Sequence, residues 1–534
     1  MLNYLLLLIA IVIFACVVLN GLSQKIGVPV LLAFIALGML FGSDGLVKIP
    51  FENYTFAESL CSSALVFIMF YGGFGTRWSE AKPVAAKAIT LSTFGVVITA
   101  GLTGLFCHYV LKIAWLESLL IGSVISSTDA ASVFSVLRSK KLNLKDGTAS
   151  LLEVESGSND PASYMLTVIV LSVMSGNTSA GGVAVQILMQ IALGLICGFG
   201  IGYGASLLMR KVKVAAGGFD TAFMVAVALL AYGLPQLLGG NGYLSVYLAG
   251  IVLGNAKIPN KKVLVHFFDG FTSLMQMLIF FLLGLLAFPS QMPDIILPAV
   301  AIALFLTLVA RPVAVSLLLT PQKCSWRQQA IVALSGLRGA ASIVFAIMVT
   351  ISDVYTKNDL FHIVFCIVLF SISVQGTLLP IVSKKLDMID DSNNVMKTFN
   401  DYSDEIPVQF VKLHIKKETH PWKDKLVREI ELPPCTLLVM ILRGKEQIIP
   451  KGDTMLLQGD VAVLSAAAFV DDTQISLTEI DINEKHIWNN KRIADISIDE
   501  NQLIILVQRG ERYIIPGGDV VLTQGDQVVL SSRT

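Results

Sequence analysis

The chain has 534 residues, of which 54% are hydrophobic and only 15% charged, with a mean hydropathy of +0.72; this balance excludes an ordinary soluble domain and makes the lipid bilayer the chain's solvent. Its 39 basic and 39 acidic side chains cancel, so there is no basic field for nucleic acid and no nucleic-acid partner is expected. Seven cysteines (Cys16, Cys61, Cys107, Cys197, Cys324, Cys366, Cys435) are scattered, mostly in apolar runs, without CxxC or metal-ligand spacing. They read as small core residues, and no bound metal is expected.

The first apolar stretch, Met1 to Leu19, lacks the basic n-region and the clear cleavage site of a signal peptide, and reads as an uncleaved span. The lipoprotein-like string Ile13-Phe14-Ala15-Cys16 fails for the same missing charge. Apolar stretches of spanning length are predicted near 3–20, 28–42, 57–75, 86–110, 115–137, 148–174, 182–209, 219–237, 242–256, 263–288, 294–320, 328–351 and 358–383, about thirteen in all. With the tail inside, an odd count puts the N-terminus outside. The basic residues agree: Lys25, Arg77, Lys82, Lys87, Arg138, Lys140, Lys141, Lys145, Arg210, Lys211, Lys213, Lys257, Lys261, Lys262, Lys323, Arg327, Lys384 and Lys385 share one side, against Lys48, Lys112 and Lys357 on the other, 18 to 3. A multi-pass protein of the cell (inner) membrane with cytoplasmic C-terminal domains is expected.

Three spans carry polar groups that are costly in hydrocarbon. The fifth contains Ser126-Ser127-Thr128-Asp129-Ala130-Ala131-Ser132, the twelfth Ser335-Gly336-Leu337-Arg338-Gly339-Ala340-Ala341-Ser342, and the sixth Glu155-Ser156-Gly157-Ser158-Asn159-Asp160-Pro161. If spans one to six and eight to thirteen are two halves, both interrupted spans are the fifth of their half and the second half is inverted, the pattern of a secondary transporter with a midplane site. Close helix packing would account for Gly336 and Gly339 but not for Asp129 and Arg338. On a helix Ser156, Asn159 and Asp160 share a face, which suits a cation, and Glu155 beside them suits an arginine. Burial favours the protonated form of a carboxylate, so one site for which proton and cation compete is sufficient for coupling. Arg311, followed by Pro312 in the eleventh span, competes with Arg338 as the partner of Glu155. Glu153, Asp269, His266, Asp220 and His108 receive no role.

After Lys385 the composition becomes polar. Residues 386–404 read as an acidic linker, and two soluble modules follow, 405–470 and 471–534. The stretch from Leu438 to Leu464, with Arg443-Gly444, Ile448-Ile449-Pro450, Gly452-Asp453 and Gln458-Gly459-Asp460, recurs 66 positions later as Arg509-Gly510, Ile514-Ile515-Pro516, Gly518-Asp519 and Gln524-Gly525-Asp526, and Trp422 matches Trp488. Alternating apolar runs between turn signals predict small β-rich modules with one helix per copy.

With these strings in view, residues 1–385 resemble the monovalent cation/proton antiporters of the NhaP/NHE type (CPA1-like) in Thr128-Asp129, the Glu155–Pro161 string and Gly336-Leu337-Arg338-Gly339. The resemblance implies a polytopic α-helical membrane protein of about thirteen helices in an inverted repeat, a homodimer, and a core that moves against a dimerisation domain. It implies that Asp160 binds cation and proton in turn, with Asn159, Asp129, Thr128 and Ser156 completing the ion site, and that Glu155 and Arg338 form a buried ion pair. Asparagine at 159 in place of a second acid implies electroneutral one-for-one exchange. The tail resembles tandem RCK_C (TrkA-C) ligand-binding subdomains of potassium-transport regulators, an α+β region. No Rossmann GxGxxG precedes it, so no NAD and no other cofactor is expected. Arg443 and Arg509 are candidate contacts for a small anionic regulator such as a cyclic dinucleotide; solvated turn arginines are the plainer reading. The expected function is K+/H+ antiport regulated by the tail, with Na+/H+ antiport at the same site as the alternative. A ligand-gated K+ channel lacks a TVGYG-like filter and needs no titrating Asp160, a membrane-anchored nucleotide sensor leaves Asp129, Asp160 and Arg338 unexplained, and no enzymatic constellation is present.

Overall fold

A computed structural model describes residues 2–389 and 408–533, apart from 27–28, 140–141, 143, 177–179, 212–218, 355, 416–421, 433–435, 445, 468–474, 485, 497, 499–501, 510–511 and 515. The chain divides into two units, Met1–Ser403 and Asp404–Thr534.

The first unit is helical: α1 Leu2–Ile26, α2 Val30–Phe41, α3 Tyr54–Gly75, α4 Ala85–Tyr109, α5 Trp115–Val124, α6 Ala130–Ser139, α7 Thr148–Met174, α8 Ala180–Lys211, α9 Phe219–Leu237, α10 Gly242–Asn255, α11 Lys261–Leu286, α12 Pro289–Leu319, α13 Trp326–Leu334, α14 Ala340–Thr350 and α15 Leu360–Lys385. Among the described residues, seven of these helices are long and apolar enough to cross a membrane by length and composition alone. The other predicted spans coincide with α1, apolar over Leu6–Gly21, with the shorter α2 and α10, the charge-bearing α7, and the pairs α5/α6 and α13/α14 that the two interruptions create.

Two groups of helices follow from the packing. α2 and α3 pack on α11, while α10 lies between α3 and α8 with α9 alongside. The second group assembles α4, α5, α6, α7, α12, α13, α14 and α15, and meets the first where α7 touches α10 and α14 touches α3. Small residues bring the helices of the first group close: a Cβ on Gly73, Gly250 or Gly254 would collide with the facing backbone of α10 or α3. The second group has a different signature. α4, α12 and α15 each contain one π-helical turn, at Leu91–Gly95, Leu306–Ala310 and Ser371–Gln375. Such turns re-phase the residues after them and cluster at functional sites.

Residues just past Lys385, assigned by composition to the linker, fold back on this unit. Met388 is buried beside Leu144 and Leu379, the Lys145 N–H donates to the Met388 carbonyl (2.9 Å), and Ile389 forms a β-bridge with Leu144. Asp387 pairs with Lys145 at 2.9 Å and Arg327 at 3.8 Å. This bundle end, where α7 begins and the chain departs, is the linker end; the opposite one is the far end.

The second unit consists of two four-stranded antiparallel sheets. β1 Val408–His414, β2 Thr436–Arg443, β3 Glu446–Ile448 and β4 Val461–Ala467 pair in the order β1-β4-β2-β3; β5 Ile475–Asp481, β6 Gln502–Arg509, β7 Arg512–Ile514 and β8 Asp526–Arg533 pair as β5-β8-β6-β7. The sequence repeat is therefore a repeat of fold, down to a register shift in the middle of β2 and β6. The α-helix expected in each copy is not found among the described residues; one 3-10 turn stands in each, Val427–Glu429 and Ile493–Asp495. Their N–H groups bond across to a neighbouring loop, Val427 to the Thr454 carbonyl and Ile493 to the Val520 carbonyl, both at 2.9 Å, and those donors are then not available to extend a helix.

Candidate ion-binding site

The two interruptions leave 127–129 and 336–339 outside any helix or turn, and the two segments meet. The Asp129 N–H donates to the Leu337 carbonyl (2.8 Å). Four helix ends thus converge in the interior, the C-termini of α5 and α13 and the N-termini of α6 and α14, and each needs partners for its unpaired backbone groups and partial charge.

The two charged residues of the interruptions fill this need. Asp129 caps α6: its carboxylate accepts from the Ser132 N–H (3.3 Å) and hydroxyl (2.6 Å). Arg338, with 1% exposure, reaches the C-terminal end of α5 and donates to the carbonyls of Ser126 (2.8 Å) and Ser127 (2.5 Å), while its own N–H donates to Ser371 (3.0 Å) in the π-helical turn of α15. Counted back from the shared Ala-Ala-Ser, Asp129 and Gly339 occupy equivalent places in the two halves. The absence of a side chain at Gly339 is what admits the Asp129 carboxylate, since a Cβ there would overlap it. Gly339→Ala should therefore cost about 1–3 kcal/mol of stability and weaken cation binding by displacing Asp129. Thermal unfolding and half-saturating cation concentration measure the two effects.

Against this meeting point α7 presents its polar face. Ser156 donates to the Thr128 carbonyl (2.8 Å), and the Asn159 amide donates to the Thr128 hydroxyl (2.5 Å). Ser127 donates to the Asp160 carboxylate. Asn159 is fully buried, whereas Asp160 keeps partial exposure. Of the five residues proposed for the ion site, Thr128, Ser156 and Asn159 are thus in direct contact, Asp160 is joined to them through Ser127, and Asp129 lies beside Thr128 facing the second interruption. The Asn159 Oδ1 has no hydrogen-bond donor among the described residues. Together with the Asp160 carboxylate it offers oxygen ligands of the kind a dehydrated monovalent cation needs.

One pairing differs from expectation. Glu155 accepts not from Arg338 but from the Arg311 Nη2, at 2.5 Å, with both side chains buried at 1% and 3% exposure. Two buried arginines could serve one acid, and sequence spacing does not choose between them. The choice is made by the helix break, which turns Arg338 toward the exposed carbonyls at the end of α5, and by the π-helical turn Leu306–Ala310, which immediately precedes Arg311. Arg338 still holds the interrupted regions together, through backbone carbonyls rather than through Glu155.

Sequence reasoning also passed over Ser127, Ser132 and Ser371. Of these only Ser132 carried a readable signal, a hydroxyl three residues after an aspartate at a helix start. The residues left without a role have local partners: Asp220 accepts from Asn260 (2.8 Å), Asp269 from Tyr71 (3.3 Å), and a ring nitrogen of His108 lies 2.8 Å from the Ile113 carbonyl.

In the tail, Arg443 and Arg509 are committed within their own copies. Arg443 donates to both carboxylate oxygens of Asp460 (2.9 and 2.8 Å) and to the Met455 carbonyl (2.9 Å); Arg509 does the same to Asp526 (both 2.7 Å) and to the Val521 carbonyl (2.7 Å). Burial alone would push the Asp460 and Asp526 carboxyls up, but the bidentate arginine and a backbone N–H hold both below the ordinary carboxylate range. The recurring Arg-Gly and Gln-Gly-Asp strings are thus the two ends of a buckle that closes each sheet. The Nε and Nη2 donors are thus spent on the fold, while the two side chains keep 36% and 42% exposure.

Comparison with known proteins agrees with this geometry. A family model described as sodium/hydrogen exchanger, transmembrane, matches residues 9–385, and a TrkA-C domain model matches 477–532, the second tail copy. A K(+)/H(+) antiporter NhaP of Alkalimonas amylolytica is 35% identical over 476 residues, 88% of this chain and 82% of that protein. A K(+)/H(+) antiporter NhaP2 of Shewanella sp. (strain ANA-3) is 33% identical over 451 residues, 83% and 78% of the two chains. Among solved structures, the sodium proton antiporter MjNhaP1 from Methanocaldococcus jannaschii at pH 8 superposes with a TM-score of 0.62 at 22% identity, covering 70% of this chain and 99% of that one, a likeness of fold.

Proposed function

The chain belongs to the sodium/hydrogen exchanger family, and from that premise we propose that it is a secondary active antiporter exchanging K+ for H+ across the cell membrane. The observation that carries this reading is the part-exposed Asp160 beside the buried Asn159, backed by the meeting of two broken helices. An acid whose neighbour at 159 is a neutral amide takes a proton or a cation, and releasing one admits the other. Exchange is then one for one and electroneutral, because Asn159 brings no second charge.

Potassium is favoured by the two relatives named as K(+)/H(+) antiporters and by the regulatory tail; sodium at the same site is the second reading. The assembly is a homodimer in the inner membrane, N-terminus outside and tail in the cytoplasm. The positive-inside bias supports the orientation, and the apolar side chains that α1 and α8 leave exposed, among them Phe14, Val17, Leu188 and Ile196, support contact with lipid or a second copy. The tail responds to a small anionic ligand, a nucleotide such as a cyclic dinucleotide being the class expected, with the exposed parts of Arg443 and Arg509 as candidate contacts. No cofactor takes part in transport.

Proteoliposomes loaded with K+ or Na+ over a pH series test the function. Cation-dependent proton movement that is indifferent to an imposed membrane potential is expected, while a cation current without proton movement would refute antiport. A chain ended after Ile389 keeps every residue of the site and the folded-back residues 386–389. It should retain exchange within about two-fold of the full chain and lose only its regulation, since a binding domain shifts a transport equilibrium through differential affinity for its states. Identical pH and nucleotide responses of full and shortened chains would remove the regulatory role of the tail.

A further inference from the structure

Along one face of α7, Glu153, Gly157 and Asp160 succeed one another at i, i+4 and i+7, and each keeps partial exposure. Tyr164, the next residue on that face toward the far end, is buried at 7% exposure. Partial exposure along this face thus runs from the linker end as far as Asp160 and stops one turn beyond. The closure is made of rings: Tyr164 meets Tyr243 at 5.0 Å and Phe345 at 5.7 Å between centroids, and Tyr243 meets Phe345 at 6.0 Å and Tyr232 at 5.0 Å.

These rings come from both helix groups, Tyr164 on α7 and Phe345 on α14 from one, Tyr232 on α9 and Tyr243 on α10 from the other. A hydrogen bond crosses the same divide: the amide of Gln236, on the last turn of α9, donates to the Tyr164 hydroxyl at 2.5 Å. Beyond the rings a polar path leads on to the far end. The Tyr243 hydroxyl lies near Ser62 and Tyr232, and Ser62 donates to the part-exposed carboxylate of Glu58 (2.7 Å).

We propose that Tyr164 and Gln236 form a latch that closes the far-end route to Asp160, a hydrogen bond present only while the site faces the linker end, with the Tyr243 and Phe345 rings as its seal. The latch rests on the antiporter reading and adds to it the positioning residues that set which face the empty site prefers. A contact made in one of two states biases the equilibrium by its own net strength, and removing it raises the population of the other state. Apparent affinity at each face scales with the fraction of sites open to it. Loss of the latch must therefore move the two faces in opposite directions, which a general loss of stability does not do.

The test uses full-length protein in right-side-out and everted membrane vesicles, with K+ offered at one face at a time. Tyr164→Phe keeps the ring and removes the hydroxyl; Gln236→Ala removes the donor at the rim. In each, the half-saturating K+ concentration should fall at the far face and rise at the linker face, shifting their ratio by about three- to ten-fold, the size one net hydrogen bond commands. Should Tyr164→Phe fail to accumulate, Gln236→Ala decides alone. An unmoved ratio in a folded variant, including equal changes at both faces, overturns the latch while leaving antiport intact. A wild-type protein without proton-coupled exchange overturns the antiporter reading and the latch together.

Discussion

Asp160→Asn protein should fold, insert and carry no proton-coupled cation flux. The substitution keeps the size of the side chain and its ability to accept from Ser127, which already donates to this position, so the packing of α7 against the two broken helices is preserved. What disappears is the exchangeable charge: a neutral amide neither takes up a proton near neutral pH nor balances a bound cation. The loss should be complete, down to the background of empty liposomes, whereas Asn159→Ala should lower flux without abolishing it. Proton efflux driven by a K+ gradient, measured on protein with an unchanged thermal transition, is the test. Flux above background in such Asp160→Asn protein would remove Asp160 as the carrier.

The second large effect concerns stability. Arg311→Ala leaves Glu155 buried and without its cation, and removing one partner of such a pair costs about 3–5 kcal/mol. Glu155→Gln strands Arg311 with a comparable penalty, and the double variant should lose less than the two single losses added, because neither charge is then left alone. Arg338 supplies the contrast. It touches carbonyls and a serine hydroxyl, so Arg338→Ala should loosen the meeting of 127–129 and 336–339, and its coupling to Glu155→Gln should be weaker than that of Arg311. Thermal unfolding of the single and double variants in detergent distinguishes the pairs; additivity for Glu155 with Arg311, or strong coupling of Glu155 with Arg338, would contradict the geometry.

Much of this was legible because the membrane is a harsh solvent. A charged residue inside an apolar run stands out, so Asp129, Glu155, Asp160, Arg311 and Arg338 were each conspicuous, and the breaks at 126–132 and 335–342 announced themselves through hydroxyls and glycines where a span should be continuous. The tail repeat was equally open, since Arg443 to Asp460 and Arg509 to Asp526 recur at one spacing. Its meaning was not: turn arginines that look available to a ligand are buckled to their own aspartates, a contact between residues 17 positions apart. Reading 386–404 as one linker likewise missed Met388, whose burial depends on a loop more than two hundred residues earlier.

By itself the sequence determined the class of protein, the places where helices run and break, the face of α7 that carries chemistry, and the duplicated tail, because each of these is local: hydrophobic run length, helical spacing and repeat period are properties of neighbours along the chain. Only the tertiary structure decided who pairs with whom. Arg311 rather than Arg338 meets Glu155, Ser127 rather than Thr128 meets Asp160, and Tyr164 is covered by Gln236. Each depends on where a helix end, a π-helical turn or a missing Cβ aims a side chain across tens or hundreds of intervening residues. Spacing along a chain constrains direction within one helix; it is silent on which of two equally suitable buried groups another helix will bring within 3 Å.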